Sequence, residues 1–175
     1  MSSESDAVAA RARAVRLAVF DVDGVMTDGT LYIGPQGEAF KAFNILDGHG
    51  VKMLQAAGVA TAIISGRTSE AVTRRAAELD IAHVVQGSSD KVAALERLRA
   101  SLGLESAACA FVGDDLPDLE AMRLCGFAVA VSNACEAVKS AAHYVTRAHG
   151  GRGAVREFCD LVLSAQGAAE ATGSR

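Results

Sequence analysis

The chain has 175 residues, half of them apolar and 22% charged, which sets aside intrinsic disorder and fits one domain with a sizeable core. Its net charge of −4, from 21 acidic and 17 basic residues, has the wrong sign for a duplex-binding surface, so no nucleic-acid partner is expected. No apolar run approaches the ~20 residues of a membrane-spanning helix, and the N-terminus lacks a signal-peptide core, so the expectation is a cytoplasmic protein with no membrane partner and four reduced cysteines.

Residues 1–14 are small and polar, and a loose terminus is expected there, ahead of a single domain over 15–166 and a loose tail over 167–175. Leu17–Phe20 is the first of five short apolar runs; the others lie at 59–64, 82–85, 109–112 and 127–131. Such continuous apolar runs predict parallel strands buried on both faces. Residues 30–43 hold two strand-like stretches around Gly34-Pro35-Gln36-Gly37, which predicts a projecting β-hairpin. Amphipathic segments at 49–57, 69–79, 90–102 and 117–124 predict helices between the strands, and a last helix starts at Ala154. Strand–helix alternation of this kind predicts an α/β fold, a doubly wound, Rossmann-like, mainly parallel sheet with helices on both faces.

Ligands of open parallel sheets bind beyond the carboxyl ends of the strands. There this sequence places Asp21-Val22-Asp23-Gly24-Val25, Ser65-Gly66-Arg67, Lys91 at a helix start, and Gly113-Asp114-Asp115. Each alone has an ordinary reading: a turn, an N-cap, a solvated lysine. Together they gather carboxylates that would repel one another unless a hard cation sat among them, with Ser65, neighbouring amides and Lys91 forming an anion site opposite. A divalent metal facing an anion pocket suits phosphoryl transfer. Residues i and i+2 of an extended segment face one side, so Asp21 and Asp23 can share the pocket. Asp21, at the strand tip, suits attack on phosphorus, and Asp23 suits general acid–base catalysis.

The ordered set D-x-D-G-V, S-G-R, a helix-initial Lys and G-D-D-x-x-D resembles the four motifs of the haloacid dehalogenase superfamily of phosphatases, over residues 17–133. The resemblance implies Mg²⁺ bound by Asp21, Asp23 (through its backbone carbonyl) and Asp114, phosphate held by Ser65, Gly66 and Lys91, and Asp115 and Asp118 as supports for the metal's waters or for Lys91. The stretches DVDGVMTDGTLYI, FNILDGHGVK, SGRTSEAVTRR, QGSSDK and GGRGAVREFCDLVL are further similar to phosphatases of 3-deoxy-D-manno-octulosonate (KDO) 8-phosphate, over residues 16–166. That likeness implies a capless enzyme of lipopolysaccharide precursor synthesis that acts on a sugar-acid phosphate and forms a homotetramer through its hairpins. It also implies substrate contacts at Asn44, Ile45, Leu46, Asp47, Gly48, Lys52, Arg67 and Arg75, beside Asp23 and Lys91. Arg67 favours the eight-carbon substrate over a nine-carbon sugar-acid 9-phosphate; a broad sugar-phosphate phosphatase is the other alternative within the family.

Gly150-Gly151-Arg152-Gly153 reads either as a flexible lead into the last helix or as a mobile tail that carries Arg152 to an active site. A receiver-type, phosphate-accepting signalling domain also uses clustered aspartates, Mg²⁺ and a lysine. Its acceptor lies on the third strand, whereas the third strand here ends in Gln86-Gly87.

Overall fold

A computed structural model describes residues 2–167. The strands are β1 (Leu17–Phe20), β2 (Tyr32–Gly34), β3 (Gly37–Phe40), β4 (Ala60–Ile64), β5 (His83–Val85), β6 (Cys109–Gly113), β7 (Phe127–Ala130) and β8 (Tyr144–Val145). The helices are α1 (Ser2–Ala14), α2 (Ile45–Ala56), α3 (Glu70–Glu78), α4 (Lys91–Ser101), α5 (Leu119–Leu124), α6 (Glu136–Ala141) and α7 (Ala154–Ala165). Six strands form one sheet in the order β5-β4-β1-β6-β7-β8, all parallel, and β2 and β3 pair antiparallel as a separate hairpin. The expected fold class is therefore the observed one.

Every residue of β1, β6 and β7 is buried, which is why their sequences are continuously apolar. On one face α7 inserts Phe158 against the sheet, edge-to-face with Phe20 at 5.8 Å and tilted against Phe127 at 6.1 Å. Strand order reverses on either side of β1, which pairs with β4 through Phe20 opposite Ile63 and with β6 through Phe20 opposite Val112. Such a switch point leaves a crevice beyond the strand tips. The next residue, Asp21, stays in the sheet's grip by donating its amide to the Val112 carbonyl at 3.1 Å.

One expectation differs from the structure. Residues 2–14 are helical, not loose: Ala12 is fully buried, Val8 packs on the core, and Arg11 and Arg13 donate to the Gly126 and Ala165 carbonyls. The arginines that make this segment look solvated are what fasten it. The stretch before α7 also holds α6 and the two-residue β8, which are too short to leave a periodic signal. The tail expected over 167–175 lies, from residue 168 onward, outside the described residues. Among the described residues no helix is long and apolar enough to cross a membrane.

Candidate active site

Beyond β1 the chain makes a wide turn over Val22–Met26, with Gly24 at φ +94°. A Cβ at Gly24 would lie 2.1 Å from Asp114 Oδ2, so glycine is required twice over, for the left-handed backbone and for the approach of a carboxylate. Buried Thr27 ties the turn, its Oγ1 donating to the Val22 carbonyl and accepting from the Gly24 and Gly29 amides. From the other side Asn133 Nδ2 donates to the Gly24 carbonyl at 3.2 Å, and Asn133 Oδ1 accepts from the Gly150 amide at 2.6 Å. A Cβ at Gly150 would strike that same Gly24 carbonyl oxygen at 1.7 Å. The Gly-rich run is thus packed on the first motif.

Asp21, Asp23, Ser65, Gly66, Arg67, Lys91, Asp114, Asp115 and Asp118 line one cleft of about 240 Å³ at the strand tips. Lys91 is the first residue of α4, a helix capped by Asp90, whose side chain accepts from the Ala93 amide. Its buried ammonium reaches Asp21 Oδ1 at 2.7 Å and Asp118 Oδ1 at 2.5 Å. The other oxygen of Asp118 accepts from the Asp114 and Asp115 amides at 3.0 and 3.4 Å. Asp118 therefore aligns Lys91 and fixes the tip of β6 with one side chain. Ser65 is buried at the end of β4, where its backbone joins Val85 and Ser88 and its Oγ accepts from the Arg67 amide at 3.3 Å.

Oxygens of Asp21, Asp114 and Asp118 lie within 4.8 Å of one another. Burial, and then the Asp118 charge, push the Asp21 carboxyl up to about 6, even though Lys91 pulls the other way. Asp114 is pushed up to about 8 by burial and by Asp21, Asp118 and Asp115. Lys91 stays charged: burial opposes its ammonium, but Asp21 and Asp118 outweigh that and hold its pKa above the usual value. Among the described residues no cation pairs with Asp114. Three carboxylates facing one ammonium offer hard oxygens that fit a divalent cation of the magnesium type.

Asp23 sits at the cleft's edge among residues that the sequence did not single out. Lys41 follows β3, and its ammonium, with a side chain only 2% exposed, pairs with Asp23 Oδ1 and, at 3.0 Å, with Glu38 Oε2. Glu38 also accepts from Ser69 Oγ, and Arg67 lies 3.7 Å from Asp23 and 3.6 Å from Glu38. Burial pushes Glu38 up, but Ser69, Lys41 and Arg67 outweigh it and hold the carboxyl below its usual range. The one sequence signal for this cluster is a Glu and a Lys on an otherwise apolar strand end.

Of the residues expected near substrate, Asp23, Arg67 and Lys91 line this cleft; Asn44, Ile45, Leu46, Asp47, Gly48, Lys52 and Arg75 do not. Asn44 caps α2, accepting from the Leu46 amide at 2.7 Å, and Ile45 and Leu46 stand exposed beside it. Asp47 is buried and caps a different helix, α7, accepting from the Gly153 and Arg156 amides at 3.3 and 2.8 Å. Gly48 is packed under the Arg75 guanidinium, which bonds Glu78 and the Asn44 carbonyl, and Lys52 pairs with Asp80. Arg152, exposed, reaches Asp28 at 3.2 Å and does not line the cleft.

A family model described as haloacid dehalogenase-like hydrolase matches residues 77–158. The chain is 48% identical over 162 residues to the 3-deoxy-D-manno-octulosonate 8-phosphate phosphatase of Yersinia pestis, covering 93% of this chain and 87% of that one. Its fold matches the Moraxella catarrhalis phosphatase of the same name, solved with magnesium, phosphate and KDO, at a TM-score of 0.91 and 44% identity, over 94% of each chain. It also matches the cobalt-bound phosphatase of Haemophilus influenzae, at a TM-score of 0.91 and 39% identity, over 94% of this chain and 96% of that one. The chain is a phosphatase of the haloacid dehalogenase-like hydrolases, and it belongs to the 3-deoxy-D-manno-octulosonate 8-phosphate phosphatase family.

Proposed function

We propose that this protein hydrolyses KDO 8-phosphate to KDO and phosphate through an aspartyl-phosphate on Asp21, in cytoplasmic lipopolysaccharide precursor synthesis. The observation that carries the mechanism is the set of Asp21, Lys91 and Asp114 converging at one strand-tip crevice; its likeness to the Yersinia and Moraxella enzymes carries the substrate. Asp21 Oδ attacks phosphorus as the bond from phosphorus to the sugar oxygen breaks, and Asp23 delivers a proton to the departing alkoxide. Asp23, now a base, takes a proton from water; the water oxygen bonds phosphorus, the acyl phosphate bond breaks, and Asp21 is restored. Lys91 and Ser65, with the Gly66 amide, hold the phosphoryl oxygens, and Asp118 keeps Lys91 aimed. Mg²⁺, held by the Asp21 and Asp114 carboxylates with the Asp23 backbone carbonyl, would neutralise charge on the phosphoryl group. Arg67, half exposed at the rim, is placed to meet the sugar acid's carboxylate.

The same reading includes a homotetramer. The hairpin exposes Leu31, Ile33 and Phe40, and α2 begins with exposed Ile45 and Leu46, an apolar surface suited to self-association. Light scattering should report four chains, and a monomer would remove that part of the reading. The substrate is tested by Mg²⁺-dependent phosphate release from KDO 8-phosphate, a nine-carbon analogue and hexose phosphates, with Asp21→Asn as the blank. A kcat/KM at least ~100-fold higher for the eight-carbon substrate, ~2.7 kcal/mol of discrimination, supports it. Equal slow rates on all would leave a broad phosphatase.

A further inference from the structure

We propose that Lys41 and Glu38, carried by the hairpin, are positioning residues for Asp23, so that the hairpin is part of the acid–base apparatus as well as an assembly surface. The proposal rests on the reading of Asp23 as the proton donor to the leaving alkoxide. A lysine with a side chain only 2% exposed is costly to bury and is retained where its charge is used. Lys41 has two partners, Asp23 in the cleft wall and Glu38 beside it on the hairpin. Glu38 is held in turn: Ser69, just ahead of α3, donates its hydroxyl to one carboxylate oxygen, and Arg67 approaches the other at 3.6 Å. The chain of contacts runs from α3 through Glu38 and Lys41 to Asp23, and none of these links lies within the turn that carries Asp23. Val22–Met26 fixes the backbone of Asp23 through Thr27 and Asn133, but its carboxylate has no hydrogen bond from its own turn. One oxygen is held from the hairpin by Lys41, and Arg67 lies 3.7 Å from the other. A general acid displaced by an ångström loses most of its advantage, so an external bracket on a free side chain has kinetic consequences.

Leaving-group dependence separates this role from general support of the fold. The kcat/KM of a phosphatase with a covalent intermediate reports the steps up to departure of the alcohol. An alkyl phosphate needs the proton from Asp23; p-nitrophenyl phosphate releases a stable phenolate and needs it far less. Lys41→Met should therefore lose about 10- to 100-fold in kcat/KM on a sugar phosphate, and at least about ten-fold less on p-nitrophenyl phosphate. Lys41→Arg should restore part of the difference. Glu38→Gln, which keeps the side chain's shape, should show the same selectivity at smaller size and guards against a Lys41→Met protein that fails to fold. Asp23→Asn is measured alongside. If Asp23→Asn is selective and neither Lys41→Met nor Glu38→Gln is, the positioning role is overturned and the acid assignment stands. If Asp23→Asn slows both substrates equally, the acid assignment itself has failed. Equal losses on both substrates in the Lys41 and Glu38 variants would mark them as structural only.

Discussion

Removing the Asp47 carboxylate should weaken the protein without impairing its chemistry, although Asp47 lies in a sequence stretch that resembles a substrate loop. The carboxylate is buried and accepts from two amides at the start of α7, at 2.8 and 3.3 Å. Loss of a helix cap costs ~1–2 kcal/mol, and hydrogen bonds to a charged acceptor lie at the upper end. Against this stands the cost of burying the carboxylate, the main reason its pKa is raised, with the two amides pulling it partly back. The net for Asp47→Ala is ~2 kcal/mol, which at ~2–4 °C per kcal/mol for a chain of this size lowers Tm by ~4–8 °C. Asp47→Asn keeps an acceptor and sheds the charge, so it should fall by less. Calorimetry measures the shift, and kcat/KM on the sugar phosphate should stay within about three-fold of the parent. An unchanged Tm with KM raised ten-fold or more would refute the reasoning and return Asp47 to the substrate.

Gly24→Ala should cost at least ~10²-fold in kcat with circular dichroism unchanged, because the new methyl must displace the Asp114 carboxylate; steady-state kinetics decides it. Mg²⁺ should raise Tm in a concentration-dependent way by mass action, and Asp114→Asn should flatten that dependence in a thermal-shift titration together with the loss of turnover. Glu157 accepts from Tyr144 Oη and from the Arg147 and Ala148 amides. Burial raises its pKa, but these bonds outweigh burial and leave it lowered. A lowered folded-state pKa means that stability is fully present above the unfolded value of ~4.3 and drains away as pH falls through the folded one. Urea midpoints measured between pH 6 and 3 should therefore fall less steeply for Glu157→Gln than for the parent.

The strands and the convergence of polar residues at their tips could be read from the sequence because each is a local pattern. Leu17–Phe20 and Cys109–Val112 are continuously apolar since both faces of the sheet are covered, and the polar residues that follow them are at the crevice by topology alone. α1 escaped because its attachment runs through arginine side chains to distant carbonyls, which leaves a polar, weakly patterned sequence. Lys41 and Glu38 escaped because their meaning depends on how the hairpin leans over the cleft, a relation between residues 18 apart that no periodicity encodes. The bonds of Asp47 were not legible either: it lies beside Asn44 and Gly48 in sequence, yet its carboxylate looks across to the Gly153 amide at the start of α7, 106 residues further on.

The placement of β1 between β4 and β6 has a consequence for how motion is distributed. The strand that carries Asp21 has partners on both sides and no solvent-exposed residue. Releasing it demands separation of the whole sheet, so its amides should exchange with deuterium only by global unfolding. The hairpin, whose strands pair only with each other and which meets the body through a few side chains with Phe40 and Ile33 facing solvent, can detach at a smaller free energy. The proposed nucleophile is thus mounted on the stiffest part of the molecule, and the residues that bracket Asp23 are mounted on one of the softest. Loosening of the hairpin would be felt first at the Asp23 carboxylate, while the mount of Asp21 stays unyielding.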